Sequence, residues 1–260
     1  MNYLLRLEAV IRRTPKLYNF LRPLIPVFNI LFTAEREFRG LKYLDFNGKD
    51  GVAIDVGFND GLSSTSIKRF LPYSIVAFEP LDIKLNRIVA IRLRKVTVLR
   101  FGLSDQENLS ILWTPIYQGK KFTPYSSITK DQALENLSRD LDVPRKEIQF
   151  EGNSIALKTL DSFELNILFL KIDTEGSEFE VLAGAAISIA KCSPSILVEI
   201  ASREDFVKIA AYLQLKNYTA YVFERDFFKT VSAWNPSRRN YWFLTPTGPQ
   251  PKSQVQIEGD

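Results

Sequence analysis

The sequence predicts an α/β domain built on a seven-stranded, mostly parallel sheet with helices on both faces. Three observations predict it. From Gly51 onward, short β-branched runs alternate with helical stretches, the pattern of a parallel sheet covered on both sides. The first of those runs passes through a glycine turn into a helix, as the opening unit of such a sheet does. The chain is 45% apolar and 25% charged over 260 residues, which excludes disordered, collagen-like and coiled-coil classes and leaves room for decoration around one core.

Taken in order, residues 1–50 predict an N-terminal helical arm. Leu4, Leu5, Val10 and Ile11 are interleaved with Arg6, Arg12, Arg13, Lys16 and Arg22, and the segment turns apolar over residues 21–32. Pro15, Pro23 and Pro26 interrupt it, so it offers no span of about 20 apolar residues to cross a bilayer. The apolar part comes late and lacks a small-residue cleavage site, which argues against a signal peptide. A packing arm is the plain reading; weak contact with a membrane surface is the alternative.

The core domain, 51–246, places strands at residues 52–56, 74–78, 96–101, 167–172, 195–200, 219–223 and 241–244. The first helix is expected over 63–70, stopped by Pro72. Across 118–150 the strand–helix rhythm fails, and a polar stretch with Gly119, Pro124 and Pro144 surrounds a helical patch at 131–141. That predicts an inserted, lid-like segment over the ligand-binding face, where acceptor selection would reside. The tail, 247–260, is rich in Pro, Gln, Gly and Ser and is expected to fray.

A net charge of +4, from 34 basic and 30 acidic residues, is too small an excess to call for a nucleic-acid partner. Cys192 is the lone cysteine, so no internal disulfide forms, and the expected location is the cytoplasm or the inner membrane face. Histidine is absent. That removes the commonest general base, the Ser-His nucleophile and most zinc chemistry, and leaves proton transfer to another group.

The residues that carry chemistry cluster after strands. In Asp55-Val56-Gly57-Phe58-Asn59-Asp60-Gly61, Gly57 and Gly61 let backbone approach a ligand closely. The spacing differs from the G-x-G-x-x-G of diphosphate-binding turns. Asp55 and Asp60 would repel phosphates yet suit a ligand with ammonium and sulfonium charges, which points to S-adenosylmethionine. Glu79, after the second strand and close to the spacing of about 20 residues expected of a ribose acid, would grip ribose hydroxyls with Pro80 beside it. Ser104 and Asp105 follow the third strand, where Asp105 either accepts from an adenine amino group or makes a simple turn. Asp173 and Glu175 stand two apart at the end of the fourth strand, on one side while the strand lasts. They either serve a substrate or cation, or cap the next helix, whose first turn carries Glu178 and Glu180.

These segments, with Thr159-Leu160-Asp161 and above all Lys171-Ile172-Asp173-Thr174-Glu175-Gly176-Ser177-Glu178 followed by Val181-Leu182-Ala183-Gly184-Ala185, resemble the FkbM-type methyltransferase family. The likeness runs in order from Gly51 to Ile200. It implies a Rossmann-like class I methyltransferase fold and an S-adenosylmethionine-dependent O-methyltransferase acting on sugars, polyketides and related natural products. It also implies that Asp55, Gly57, Asn59, Gly61 and Glu79 hold the cofactor and that Asp173 and Glu175 line the reaction centre; Phe58, within the same turn, and Asp173 are expected cofactor contacts as well. Members often carry a histidine soon after the fifth-strand glutamate, whereas here Glu199 is followed by Ile200, Ala201 and Ser202.

The expected reaction is an in-line attack by an acceptor oxygen on a sulfonium methyl group. Without histidine, one of Asp173, Glu175 and Glu199 would act as base, its pKa raised by mutual repulsion. Alternatively, the same acids would bind Mg²⁺ or Ca²⁺. A catalytically silent nucleoside-binding module, and a methyltransferase acting on nitrogen or protein, are the rival readings. A small-molecule or carbohydrate hydroxyl acceptor is the expected partner; a homo-oligomer stays open.

Overall fold

A computed structural model describes residues 36–252 except 83, 84, 86–89, 92 and 94. Most of the predicted N-terminal arm, including its basic residues from Arg6 to Arg22, lies outside the described residues. The part within them opens with a 3-10 helix, Arg36–Tyr43, and its remaining residues, 44–50, are not helical.

The chain then lays down β1 (Val52–Val56), α1 (Leu62–Phe70), β2 (Ser74–Phe78) and β3 (Val96–Leu99). Next come β4 (Gly102–Leu103), β5 (Asn108–Tyr117), β6 (Lys120–Lys121), α2 (Lys130–Leu141) and β7 (Gln149–Lys158). The last part holds β8 (Ile167–Ile172), α3 (Glu178–Ala183), α4 (Ala186–Cys192), β9 (Ser195–Glu199), α5 (Arg203–Gln214), β10 (Thr219–Glu224), β11 (Phe227–Thr230) and β12 (Asn240–Leu244).

The main sheet has eight strands in the order β11-β10-β12-β9-β8-β1-β2-β3, not the expected seven. It is mixed. β3, β2, β1, β8 and β9 run parallel, whereas β12, β10 and β11 join antiparallel. The extra strand, β11, pairs back on β10 through a two-residue turn whose residues, Arg225 and Asp226, have φ of 50° and 69°. Such turns usually announce themselves by Asn-Gly or Asp-Gly, and here neither residue is glycine, so the sequence hides the hairpin.

Strand alternation divides the core in two. Ile54, Val56, Leu170, Ile172, Ile196 and Val198 face α3, α4 and α5, meeting Leu182, Ile189, Phe206 and Leu213. Ala53, Ile75, Phe169, Leu197 and Trp242 face the other way, onto Phe38 and Leu41 of the 3-10 helix and Ile67 of α1. β8 lies between both layers, and all six of its residues are buried, including Lys171. α1 ends as Pro72 predicts: Leu71 is extended (φ −117°), the conformation a following proline imposes.

The family-like Thr159-Leu160-Asp161 segment owes its acid to a helix. Both Asp161 carboxylate oxygens accept from the first amides of α4, Ile187 N at 2.9 Å and Ser188 N at 2.7 Å, which lacks a side-chain cap of its own. Asp161→Ala is expected to cost about 1–2 kcal/mol in urea unfolding, with Asp161→Asn keeping most of that. A change under a few tenths of a kcal/mol would show that the cap is decorative.

The insertion is larger than 118–150. β5 and β7 pair antiparallel from Asn108↔Leu157 to Ile116↔Gln149 and form a second sheet ordered β4-β7-β5-β6. The excursion therefore begins at Gly102 and ends at Lys158. Pro115 within β5 and Gly152 within β7 break the strand pattern that would have revealed it. Its helix, α2, falls where expected; Leu137 and Leu141 pack with Phe122, Tyr125 and Ile148. The tail is tied down further than expected: Asp45 N donates to Gln250 O at 2.8 Å and Lys252 N to Tyr43 O at 2.8 Å. Residues 253–260 lie outside the described residues.

Candidate active site

Parallel register lines up the carboxyl ends of four strands: Val56 stands beside Phe78 and Ile172, and Ile172 beside Val198. The next residues, Gly57, Glu79, Asp173 and Glu199, therefore share one edge. Chain order reverses there, since β2 and β3 lie on one side of β1 and β8 and β9 on the other, and open α/β sheets bind ligands at such a point.

The turn after β1 is held by backbone. Gly57 N and Phe58 N both donate to Phe78 O, and Gly61 N to Phe58 O. Gly57 has φ of 82°, and a Cβ there would lie 1.7 Å from Asp173 O, so glycine is required by the neighbouring strand end and not by a ligand. Phe58, expected among the cofactor contacts, has its side chain buried against Ala77 and Leu93 and so offers a ligand no ring. Asp60 Oδ1 accepts from Leu62 N at 3.2 Å, so an acid occupies the α1 N-terminus that a diphosphate would use. Asn59, at φ 46°, donates its backbone N–H to Glu79 Oε2 at 3.0 Å.

Asp55 also departs from expectation. Its side chain is fully buried, and Oδ2 accepts from Ser63 Oγ and Ser64 Oγ at 2.6 Å each. Lys171, its cross-strand neighbour on β8, brings Nζ to 3.6 Å from Oδ1. Asp55 is thus an internal counter-charge for a buried lysine, and does not edge an open pouch. Lys171 reaches onward to Gly57 O at 3.4 Å and Asp173 Oδ2 at 3.1 Å, tying the turn to the acid.

Glu79 lies at the predicted edge with both oxygens engaged by backbone, Oε1 by Leu81 N at 3.0 Å. Burial pushes its carboxyl up, while the Leu81 and Asn59 amides and Lys171 pull it back. Pro80 follows it, half-buried. Ser104 is buried beside Gly184 and donates to the exposed Asp105, whose Oδ1 is 3.1 Å away.

Asp173, Glu175 and Glu199 are brought together. Glu178 braces the loop that carries the first two, Oε1 accepting from Thr174 N, Thr174 Oγ1 and Gly176 N. Glu175 itself has φ of 59°, turned away from strand geometry. Burial pushes its carboxyl up to about 8, with Asp173, Glu178 and Asp140 adding to the rise and Arg239 opposing it. Glu199 is held well above the usual carboxylate range by burial and then by Asp173 and Glu175, against Arg239 and Lys171.

The wall opposite these acids is α2. Its polar stripe is Gln132, Asn136 and Asp140, at four-residue spacing. Gln132 packs on Gly176, where a Cβ would lie 2.7 Å from its Cγ. Asn136 Nδ2 donates to Glu175 Oε2 at 2.8 Å. Arg239 bridges Asp140 Oδ1 at 3.0 Å and Glu199 Oε1 at 3.5 Å. The lysine was visible as the one charge inside the run Ile-Leu-Phe-Leu-Lys-Ile, and the stripe as a four-residue repeat, but Arg239 carries no local signal.

Among the described residues no group of three or more Asp, Glu, Cys or His side chains could hold a metal ion. The acids face Lys171, Asn136 and Arg239 instead, so the residues do not fit a divalent cation. No helix of the described residues is long and apolar enough to cross a membrane.

The model of the methyltransferase FkbM domain matches residues 55–224. The chain belongs to the FkbM methyltransferase family. The match spans the second sheet and α2 as well as the motifs at the strand ends. Among solved structures, an FkbM methyltransferase from Methylobacillus flagellatus KT is 16% identical with a TM-score of 0.45, covering 85% of this chain and 53% of that one. The FkbM chain described here thus spans about half the length of that protein. A precorrin-6y C5,15-methyltransferase from Geobacter metallireducens GS-15 is 12% identical with a TM-score of 0.35, covering 81% of this chain and 84% of the other. No curated protein matches the sequence.

Proposed function

We propose that this FkbM methyltransferase transfers a methyl group from S-adenosylmethionine to a hydroxyl oxygen of a small or glycosidic acceptor, with Glu175 as general base. The observation that carries the reading is the convergence of Asp173, Glu175 and Glu199 at the sheet edge beside the 57–61 turn. The fit to the cofactor rests on Asp60, whose carboxylate caps α1 where a diphosphate would need bare amides, and on Glu79 held at the end of β2. When bound, the cofactor supplies an electrophilic sulfonium methyl group.

The chain's residues do the rest. A hydroxyl needs its proton removed as it attacks, and the remover needs a pKa near the working pH. Glu175 meets that condition at about 8. Asp173 Oδ2 is engaged by Lys171 and Glu199 faces Arg239, which leaves these two to shape the field around Glu175 and to line the acceptor's position. The wall of α2 closes the site and aligns the acceptor.

Titration calorimetry tests the cofactor, and a screen of nucleotide-sugars and glycolipids for S-adenosylhomocysteine release tests the acceptor. S-adenosylhomocysteine is expected to bind with a micromolar Kd and NADH to give no heat; the reverse would overturn the reading.

A further inference from the structure

We propose that Asn136 is a positioning residue for methyl transfer, fixing Glu175 from a helix that Asp140 and Arg239 latch to Glu199. The proposal rests on the reading of Glu175 as base and names a group outside the motif that carries it. Asn136 is buried, 1% exposed, on the polar stripe of α2. Its amide has one orientation. Oδ1 accepts from Gln132 Nε2 at 2.9 Å and from Arg139 at 3.4 Å, so Nδ2 must point the other way, toward Glu175 Oε2 at 2.8 Å. Both ends of the buried amide are thereby satisfied, and the end it gives to Glu175 is the donor.

The latch explains why α2 stays in place to do this. Asp140 is one helical turn beyond Asn136 and receives Arg239, whose other nitrogen reaches Glu199. The inserted segment and two strand ends of the main sheet thereby share one network of charge. Glu175 faces Asp173 from its own loop, Glu178 from the start of α3, Asp140 from α2, Glu199 from β9 and Arg239 from the entry to β12. Asn136 is the uncharged member of that ring and the one that hydrogen-bonds the base directly. Donation to the ionised form favours it, so Asn136 holds Glu175 below the value its surroundings alone would give.

The test needs neither cofactor nor acceptor. Full-length protein carrying carboxyl-¹³C glutamate is titrated by NMR, with the Glu175 signal assigned by its loss in Glu175→Gln. Asn136→Ala should raise the Glu175 midpoint by about one unit, and Asn136→Asp, which keeps the shape and adds like charge, by at least as much. Asp173→Asn, which removes a neighbouring charge without touching α2 or its latch, should lower it. An α2 that merely loosened would let water reach Glu175 and relieve the burial that raises it, so a fallen midpoint in Asn136→Ala would overturn the proposal. So would an unmoved midpoint in Asn136→Asp, the variant that stands in if the alanine form does not fold. Failure of S-adenosylhomocysteine to bind would sink the cofactor reading and leave this titration unaffected.

Discussion

Lys171→Met is expected to destabilise the protein by about 3–5 kcal/mol, measured as a fall in the urea midpoint without a change in slope. The change removes the cation from a position only 4% exposed, next to an Asp55 side chain with no exposure at all. Ser63 and Ser64 would still donate to Asp55 Oδ2, but Oδ1 has no hydrogen bond and depends on the ammonium for compensation. A carboxylate stranded in that interior is the costly product. Adding Asp55→Asn should therefore recover more than half of the loss, since the amide carries no charge yet still accepts from the serines. If Lys171→Met cost under 1 kcal/mol, or the second change made matters worse, Asp55 and Lys171 would not be a compensated pair. Asp173 and the Gly57 carbonyl also lose their lysine contact in this variant, so cofactor affinity should weaken alongside stability.

That pair marks where sequence reading succeeds and where it stops. Strand positions were legible because β1, β2 and β8 are bounded by glycine, proline and charge, and their ends match the expected residues. The acids at the strand ends were legible because polar residues at that edge have no packing use. Their directions were not. Asp55 and Asp60 sit five residues apart in one motif, yet the first is buried under serines and the second caps a helix, and only the α1 contacts distinguish them. Phe58 looked like a ligand contact by position and is instead core, because the turn swings its ring beneath β2. The second sheet and the Arg239 latch depend on pairing across long sequence separations, Asp140 with Arg239 and β5 with β7, which local pattern cannot report.

Glu175→Gln is the change expected to cost most in catalysis, a loss in turnover of about 10²–10⁴-fold with S-adenosylhomocysteine affinity changed less than about twofold. Glutamine keeps the length of the side chain and can still meet Asn136, but it cannot take a proton. The pH profile supplies the second criterion. With Glu175 at about 8, the carboxyl is mostly protonated at neutral pH and becomes a competent base as pH rises through that value. Turnover should climb about tenfold per unit below pH 8 and level off above it, and this limb should vanish in the glutamine variant. Asp173→Asn separates base from field: it removes the neighbouring charge that ranks next after burial in raising Glu175, so the limb should move to lower pH and persist. Were the limb to survive in Glu175→Gln and disappear in Asp173→Asn, the base would be Asp173. Lys171 would then orient that acid through the Oδ2 it holds at 3.1 Å, leaving Oδ1 to take the proton.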